Sequence, residues 1–250
     1  MKHITLALAL LATPALAAPI DDARAHFAVG DFDHAQATAV LDKSTASQLY
    51  AAEVMAARIM LMDGVDAKDT AKDALDIVEG VLKREPGNQE ALFLRAMHQG
   101  FRTRSSSKLA IVVGGMIGDT KDDIEAFASA APDDARADAL RGAWHLGIVR
   151  AAGDGKFGAS LSEGMAAYDR AVAARPDDIT VMSNYAFSLI VMDDPALRPR
   201  AEALLGQIAA TEARDPFEAE TKARMRRLAA VFDDEAALRK AAKGLLNTEE

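Results

Sequence analysis

Apolar residues recur along most of this chain at intervals of three and four positions. That is the period of an amphipathic α-helix, and no segment alternates for long in the period of a strand. The chain is therefore predicted to be all-α. The pattern predicts helices over 20–29, 33–42, 45–62, 68–84, 89–104, 107–117, 119–131, 135–151, 159–174, 179–192, 196–212, 216–231 and 234–246.

Four prolines divide the helical pattern into units, and each follows an amphipathic stretch: Pro86, Pro132, Pro176 and Pro216. A proline ends a helix because it lacks the N–H that the helix needs. After the first three prolines come residues that turn the chain and cap the next helix. These turn pairs are Gly87-Asn88, Asp133-Asp134 and Asp177-Asp178.

Small and apolar residues also recur at constant offsets from the prolines. Small residues, which let two helices approach closely, stand ten positions after the first three: Ala96, Gly142 and Ala186. Before each proline, apolar residues three positions apart form a stripe: Val78 and Val81, Ile124 and Phe127, Tyr168 and Ala171, Ile208 and Thr211. Each unit is therefore interpreted as an antiparallel helical hairpin, and stacked hairpins bury a core that one hairpin cannot.

This layout resembles the tetratricopeptide repeat (TPR). Residues 30–35 (Gly-Asp-Phe-Asp-His-Ala) are similar to the turn between its two helices, and 169–178 are similar to the end of a repeat. The prolines stand 40 to 46 residues apart, whereas the TPR period is about 34, so the repeats would be divergent. The resemblance implies a TPR-like α-solenoid of stacked antiparallel hairpins. It also implies degenerate capping helices over 216–250, where Arg226 takes the small-residue position.

Residues 1–17 are predicted to be a secretory signal peptide. A short polar start with Lys2 precedes the apolar stretch 4–12, and Ala15-Leu16-Ala17 offers small residues for cleavage after Ala17. No other apolar run reaches the ~20 residues that span a bilayer. Residues 18–250 are therefore expected to form one domain in the periplasm, with no membrane span after cleavage.

Composition narrows the chemistry that is expected of this domain. The formal net charge of -9 disfavours nucleic-acid binding, which needs a basic face. The absence of cysteine excludes disulfides and thiolate chemistry. The five histidines lack the spacing that places two metal ligands on one helix face. We therefore expect no metal and no cofactor.

Three short motifs that resemble functional sites are better explained as structural features. Residues 153–158 spell G-x-G-x-x-G but follow a predicted helix, whereas a dinucleotide site needs a preceding strand. Residues 105–108 spell S-x-x-K without its partner motifs, and the serines are expected to cap a helix. Asp63, Asp66 and Asp69 lack the spacing of a calcium loop. The sequence therefore predicts no enzyme.

Candidate binding residues lie on the first helices of the hairpins, which line the concave surface of stacked helical repeats. They are Arg95, Gln99, Arg102, Arg141, Trp144, His145, Asn184 and Tyr185. The sole tryptophan, Trp144, and its neighbour His145 stand mid-helix, where one could pack while the other faces the groove. Ordinary packing of both residues is the alternative.

Two functions follow as hypotheses. The first is an exported adaptor or scaffold that binds a protein or peptide partner of the envelope in its concave groove, since stacked hairpins expose a long curved surface. The second is a periplasmic protein that binds a small molecule or lipid and is associated with a transporter. The arrangement is similar to the TPR-like component of TRAP transporters, which makes a transporter component a possible partner.

Overall fold

The computed structural model describes residues 19–61, 64–106 and 115–245. These residues form α-helices joined by short turns and contain no strand, which confirms the all-α prediction. The signal peptide and most of the helix predicted over 107–117 lie outside the described residues. The helices are α1 (Pro19–Ala28), α2 (Phe32–Ala39), α3 (Thr45–Leu61), α4 (Ala67–Arg84), α5 (Gln89–Arg104), α6 (Met116–Ala130), α7 (Arg136–Ala152), α8 (Leu161–Ala174), α9 (Ile179–Ile190), α10 (Arg198–Ala210), α11 (Pro216–Ala229) and α12 (Glu235–Leu245).

The first three prolines end helices as the sequence predicted, and the predicted caps Asn88 and Asp178 begin α5 and α9. The turn after Pro132 differs, because the N-cap of α7 is Ala135, which makes no side-chain cap hydrogen bond. Glu85, Ala131 and Arg175 precede the first three prolines and have extended φ angles of -133°, -135° and -134°. A following proline disfavours the helical conformation, so each helix stops there. Side chains then cap the next helices by accepting a hydrogen bond from the backbone N–H three residues on. These capping residues are Asp31, Asp66, Asn88, Ser160, Asp178 and Asp215.

Consecutive helices pack against each other in pairs, and the predicted apolar stripe lies between them. Every member of that stripe is buried except Thr211, which follows the last residue of α10. The small residues are buried as well, and Gly142 shows why a small residue is needed. A Cβ atom on Gly142 would lie 2.4 Å from Cδ2 of Tyr168, whose ring crosses the backbone of α7 there.

The first helices of successive pairs form a ring. Helices α3, α5, α7, α9 and α11 each contact the next one in this series, and α11 returns to contact α3. The second helices lie outside this ring, because α4, α6, α8 and α10 each pack against their own first helix and the following one, and α12 packs against α11 and α9. Each second helix therefore covers the outward side of two first helices.

The last hairpin joins the first along a seam between α11 and the N-terminal helices. The guanidinium of Arg224 donates hydrogen bonds to the carbonyl oxygen of Met60, at 3.0 Å, and to that of Leu61. Phe217, near the start of α11, packs on an apolar cluster that includes Phe32 and Val54. We call these contacts the ring seam. The helices predicted to be a terminal cap thus contact the opposite end of the chain.

Buried His98 lies between α5 and α3. Its Nε2 donates a hydrogen bond to the carbonyl oxygen of Ala52 at 2.9 Å. Its Nδ1 is buried and has no hydrogen-bond partner among the described residues. Burial lowers the pKa of His98 from 6.5 to about 4, because a proton on Nδ1 would add a charge and an unpaired donor to the core.

Protein stability is therefore expected to fall as the pH falls below 6.5. The unfolded chain takes up a proton at His98 from that pH downward, whereas the folded chain resists it until about pH 4. Between pH 7 and pH 5 this linkage lowers the free energy of unfolding by about 2 kcal/mol. Urea denaturation at pH 7 and at pH 5 measures this decrease in the free energy of unfolding. The variant His98→Gln keeps a donor for the carbonyl of Ala52, and its free energy of unfolding should decrease by about 2 kcal/mol less over the same range. An unchanged pH dependence in that variant would contradict the assignment.

Candidate functional site

The first helices of the ring keep one face that no neighbouring helix covers. On α7, residues Ala143, Gly147 and Arg150 are exposed although the helix contacts α5, α6, α8 and α9. These three residues repeat at intervals of four and three, so they lie on one side of the helix. Because the second helices cover the outward side, this exposed side lines the interior of the ring.

The interior is narrow. Packed helices have axes about 8–10 Å apart, so in a closed ring of five the axes lie about 7–8.5 Å from the centre. A helix with its side chains has a radius of about 5–6 Å, which leaves little free width. Small residues therefore keep space open, and a Cβ at Gly100 or Gly147 would meet no atom within 4 Å. The concave surface is thus the inside of a ring rather than an open trough.

One end of the interior carries paired charges where α5 and α7 begin. The guanidinium of Arg136 lies 2.9 Å from Glu90 and 2.8 Å from Asp134. It also stacks over the ring of Phe93, with 4.1 Å between its central carbon and the ring centroid. Hydrogen bonds from Arg136 lower the pKa of Asp134 against the opposing effect of burial. Arg136 thus offsets part of the negative charge of these two carboxylates.

Glu53, on α3, projects toward the same end. Burial raises the pKa of its carboxyl group, and the negative charge of Glu90 raises it further. Arg136, Asp215 and Arg24 also act on this carboxyl group, and they belong to α7, to the start of α11 and to α1. Charges from helices on several sides of the ring converge on Glu53, as expected of a side chain that points inward. Its side chain remains exposed.

The opposite end of the interior carries Arg104 and Arg150, in the last turns of α5 and α7. Both side chains are exposed. Burial nevertheless lowers the pKa of Arg104, and the like charge of Arg150 lowers it further, while Tyr168 acts in the opposite direction. A side chain that reaches solvent and is still surrounded by protein is expected in an enclosed space. The two guanidinium groups therefore share one region of the interior.

Trp144 and His145, the pair singled out in the sequence, take part in packing. The indole N–H of Trp144 donates to the carbonyl oxygen of Ile117 at 3.1 Å, and its ring is buried. Nδ1 of His145 accepts a hydrogen bond from the backbone N–H of Ser160 at 3.1 Å. Burial lowers the pKa of His145, which favours the neutral ring. Both residues join α7 to α6 and to the start of α8.

The other sequence candidates are dispersed. Arg95 pairs with Asp123 at 2.8 Å, and Arg141 pairs with Glu125 at 2.6 Å, so both bind carboxylates of the outer helix α6. Gln99 is buried. Tyr185 is also buried and stacks on Tyr168, with ring centroids 4.7 Å apart. Arg102 is half-buried in the last turn of α5, and its Nε has no partner among the described residues.

Asn184 differs from the other candidates because it is exposed on α9, a first helix of the ring. One turn later, the hydroxyl of Ser188 donates to the carbonyl oxygen of Asn184 at 2.7 Å. Ser188 also forms a side-chain hydrogen bond that lowers the pKa of Tyr168, which burial raises. Ser188 therefore connects the exposed residue Asn184 to the buried hydroxyl group of Tyr168.

The sequence candidates do not include Glu53, Arg104 or Arg150. A signal for the two arginines was present, because each stands eighteen positions after its proline, Pro86 or Pro132. Equal offsets in consecutive hairpins place residues at equivalent positions on neighbouring first helices. No comparable signal marks Glu53, since its surroundings depend on the closure of the ring.

The glycine-rich motif and the aspartate motif have structural roles. Residues 153–158 follow α7 and form a turn, in which Asp154 accepts a hydrogen bond from the backbone N–H of Leu161 at 2.8 Å. Asp66 caps α4, whereas Asp63 lies outside the described residues. Within 19–61, 64–106 and 115–245, no cluster of three histidine or acidic side chains could hold a metal ion. None of the described helices is long and apolar enough to cross a membrane.

Comparison of the chain with models of protein families, with curated proteins and with solved structures found no match in any of the three.

Proposed function

We propose that this chain is a periplasmic binding protein that holds a small molecule inside the ring of its first helices. The observation that carries the proposal is the ring seam, where Arg224 of α11 donates to the carbonyl oxygens that end α3. This contact closes the row of first helices, so the exposed residues Glu53, Ala143 and Asn184 would line the inside of the ring. An interior of that width suits a small ligand rather than a folded partner.

The proposal includes a TPR-like solenoid as the fold, export after cleavage at Ala17, and binding rather than catalysis. Support for the solenoid comes from the proline-marked hairpins and from the burial of their stripe. Support for binding comes from Arg104 and Arg150, which have no carboxylate partner among the described residues and could pair with a ligand of opposite charge. A transporter component is the partner that the sequence resemblance suggests.

An adaptor for a protein or peptide is the second candidate. It is favoured by the small extent of the ring seam, which is held by Arg224 and by the cluster around Phe217. Opening along this seam would expose the interior as a groove for an extended peptide. A protein or peptide partner that binds only when the ring seam is open would favour the adaptor function over small-molecule binding.

Native mass spectrometry of the purified chain tests the small-molecule function. We expect the protein, exported in a bacterial host, to retain a ligand or to take one up from a periplasmic metabolite extract. The variant Ala143→Trp fills the interior and should retain markedly less ligand. The control Ala166→Trp adds the same side chain to the exposed side of the outer helix α8 and should retain as much as the unmodified chain. A wild-type protein that carries and takes up no ligand contradicts the proposal.

A further inference from the structure

The interior faces of α5 and α7 have the same arrangement of charged positions. Glu90 and Arg104 on α5 are fourteen residues apart, and so are Arg136 and Arg150 on α7. Fourteen residues make almost four helical turns, so each pair lies on one face with a rise of about 21 Å. Glu90 and Arg136 pair with each other at 2.9 Å, which shows that these two faces meet.

Arg104 and Arg150 therefore lie side by side at the other end of the same two faces. Parallel helices in contact have axes about 8–10 Å apart, and arginine side chains can close that gap from both sides. Neither guanidinium has a carboxylate within ion-pair distance in the described parts of the chain. The guanidinium of Arg104 stacks over the ring of Phe101, with 5.3 Å between its central carbon and the ring centroid.

Only a minority of the described arginines lack a counter-charge. Most of the described arginines have a carboxylate oxygen within 4.0 Å, as in the pairs of Arg58, Arg170 and Arg239. Two adjacent guanidinium groups in an enclosed region repel each other, so the protein gains nothing from them without an anion. An anion bound between the two groups would offset this repulsion.

A buried tyrosine lies near Arg104. Tyr168 crosses α7 at Gly142, packs against Tyr185 and acts electrostatically on Arg104. Ser188 is its hydrogen-bonding neighbour on α9. Two adjacent guanidinium groups offer several N–H donors and two positive charges, which phosphate and carboxylate groups prefer.

We propose that Arg104 and Arg150 bind an oxyanion, a phosphate or carboxylate group of the ligand, at the end of the ring interior where α5 and α7 terminate. This inference rests on the proposed small-molecule function and names the chemistry of the ligand. Phe101 adds an apolar wall beside the anion.

Isothermal titration calorimetry of the whole chain with inorganic phosphate and, separately, with succinate tests this site at constant ionic strength. We expect at least one of the two anions to bind, and the preferred probe distinguishes a phosphate from a carboxylate ligand. Arg104→Gln and Arg150→Gln should each weaken binding about tenfold or more, because a charge-assisted hydrogen bond is lost. The matched control is Arg226→Gln, which removes an exposed arginine of α11 that has no carboxylate partner among the described residues; this variant should bind as the unmodified chain does.

If Arg104→Gln fails to fold, Arg104→Lys takes its place, because it keeps the positive charge. Arg104→Lys should bind the anion more weakly than the unmodified chain and more tightly than Arg104→Gln. Three results overturn the inference: neither anion binds, the Arg104 and Arg150 variants bind normally, or Arg226→Gln weakens binding equally. A ligand still retained by Arg104→Gln and Arg150→Gln in native mass spectrometry would leave the small-molecule function standing while the oxyanion site fails.

Discussion

Replacing Arg224 with methionine is expected to lower the free energy of unfolding by about 3 kcal/mol. Its guanidinium donates to the carbonyl oxygens of Met60 and Leu61, and its side chain is 13% exposed. Hydrogen bonds to a charged group contribute about 1.5–3 kcal/mol each, and the two carbonyl groups at the end of α3 would lose their partner. Urea denaturation measures the change.

The same variant should loosen the ring seam before the rest of the protein unfolds. Hydrogen exchange of the amides in α11 and in the last turn of α3 is expected to become faster, and the radius of gyration from small-angle scattering to increase. Arg227→Met removes the same charge three residues away, where the side chain is 60% exposed and pairs with Glu220. It should change stability by less than about 0.5 kcal/mol. Equal effects of the two variants would show that Arg224 does not hold the seam.

Gly142→Ala is expected to lower the free energy of unfolding by about 2–3 kcal/mol, although alanine favours helices more than glycine does. The added Cβ would lie 2.4 Å from Cδ2 and 2.6 Å from Cγ of Tyr168. The ring cannot move aside easily, because it is buried and stacks on Tyr185. Relief of the clash therefore requires α7 and α8 to separate.

Gly147→Ala is the matched control, one and a half turns along the same helix. A Cβ there meets no atom within 4 Å, so only the backbone effect remains. We expect this variant to be about 0.5–1 kcal/mol more stable than the unmodified chain. Thermal unfolding of both variants gives shifts of opposite sign if the packing is as described. Stabilisation by Gly142→Ala would contradict the close approach of Tyr168 to α7.

Arg104 and Arg150 show that repeat spacing alone can predict which residues of a candidate site are neighbours. Their equal offsets from Pro86 and Pro132 could have placed them on neighbouring first helices without any coordinates. In the sequence, Trp144 and His145 were singled out instead, because the sole tryptophan stands in the middle of a first helix, with ordinary packing as the alternative. Local sequence does not show which side of α7 the neighbouring helices cover, and the pair lies on the covered side.

Local physics alone determined the helices, their ends and the hairpins. The three-to-four residue period, the prolines and the capping side chains act within a few residues, so the sequence predicted most helices to within a few positions. The burial of Val78, Ile124 and Tyr168 followed in the same way from their offsets to the prolines.

Only the tertiary structure decided that the row of hairpins returns on itself. Closure depends on the sum of small rotations between successive pairs, and it brings α11 to α3 across more than 150 residues of chain. No local pattern encodes that sum. It is the closure that turns a concave surface into an interior, surrounds Glu53 with charges from several helices, and leaves Arg104 and Arg150 together inside the ring.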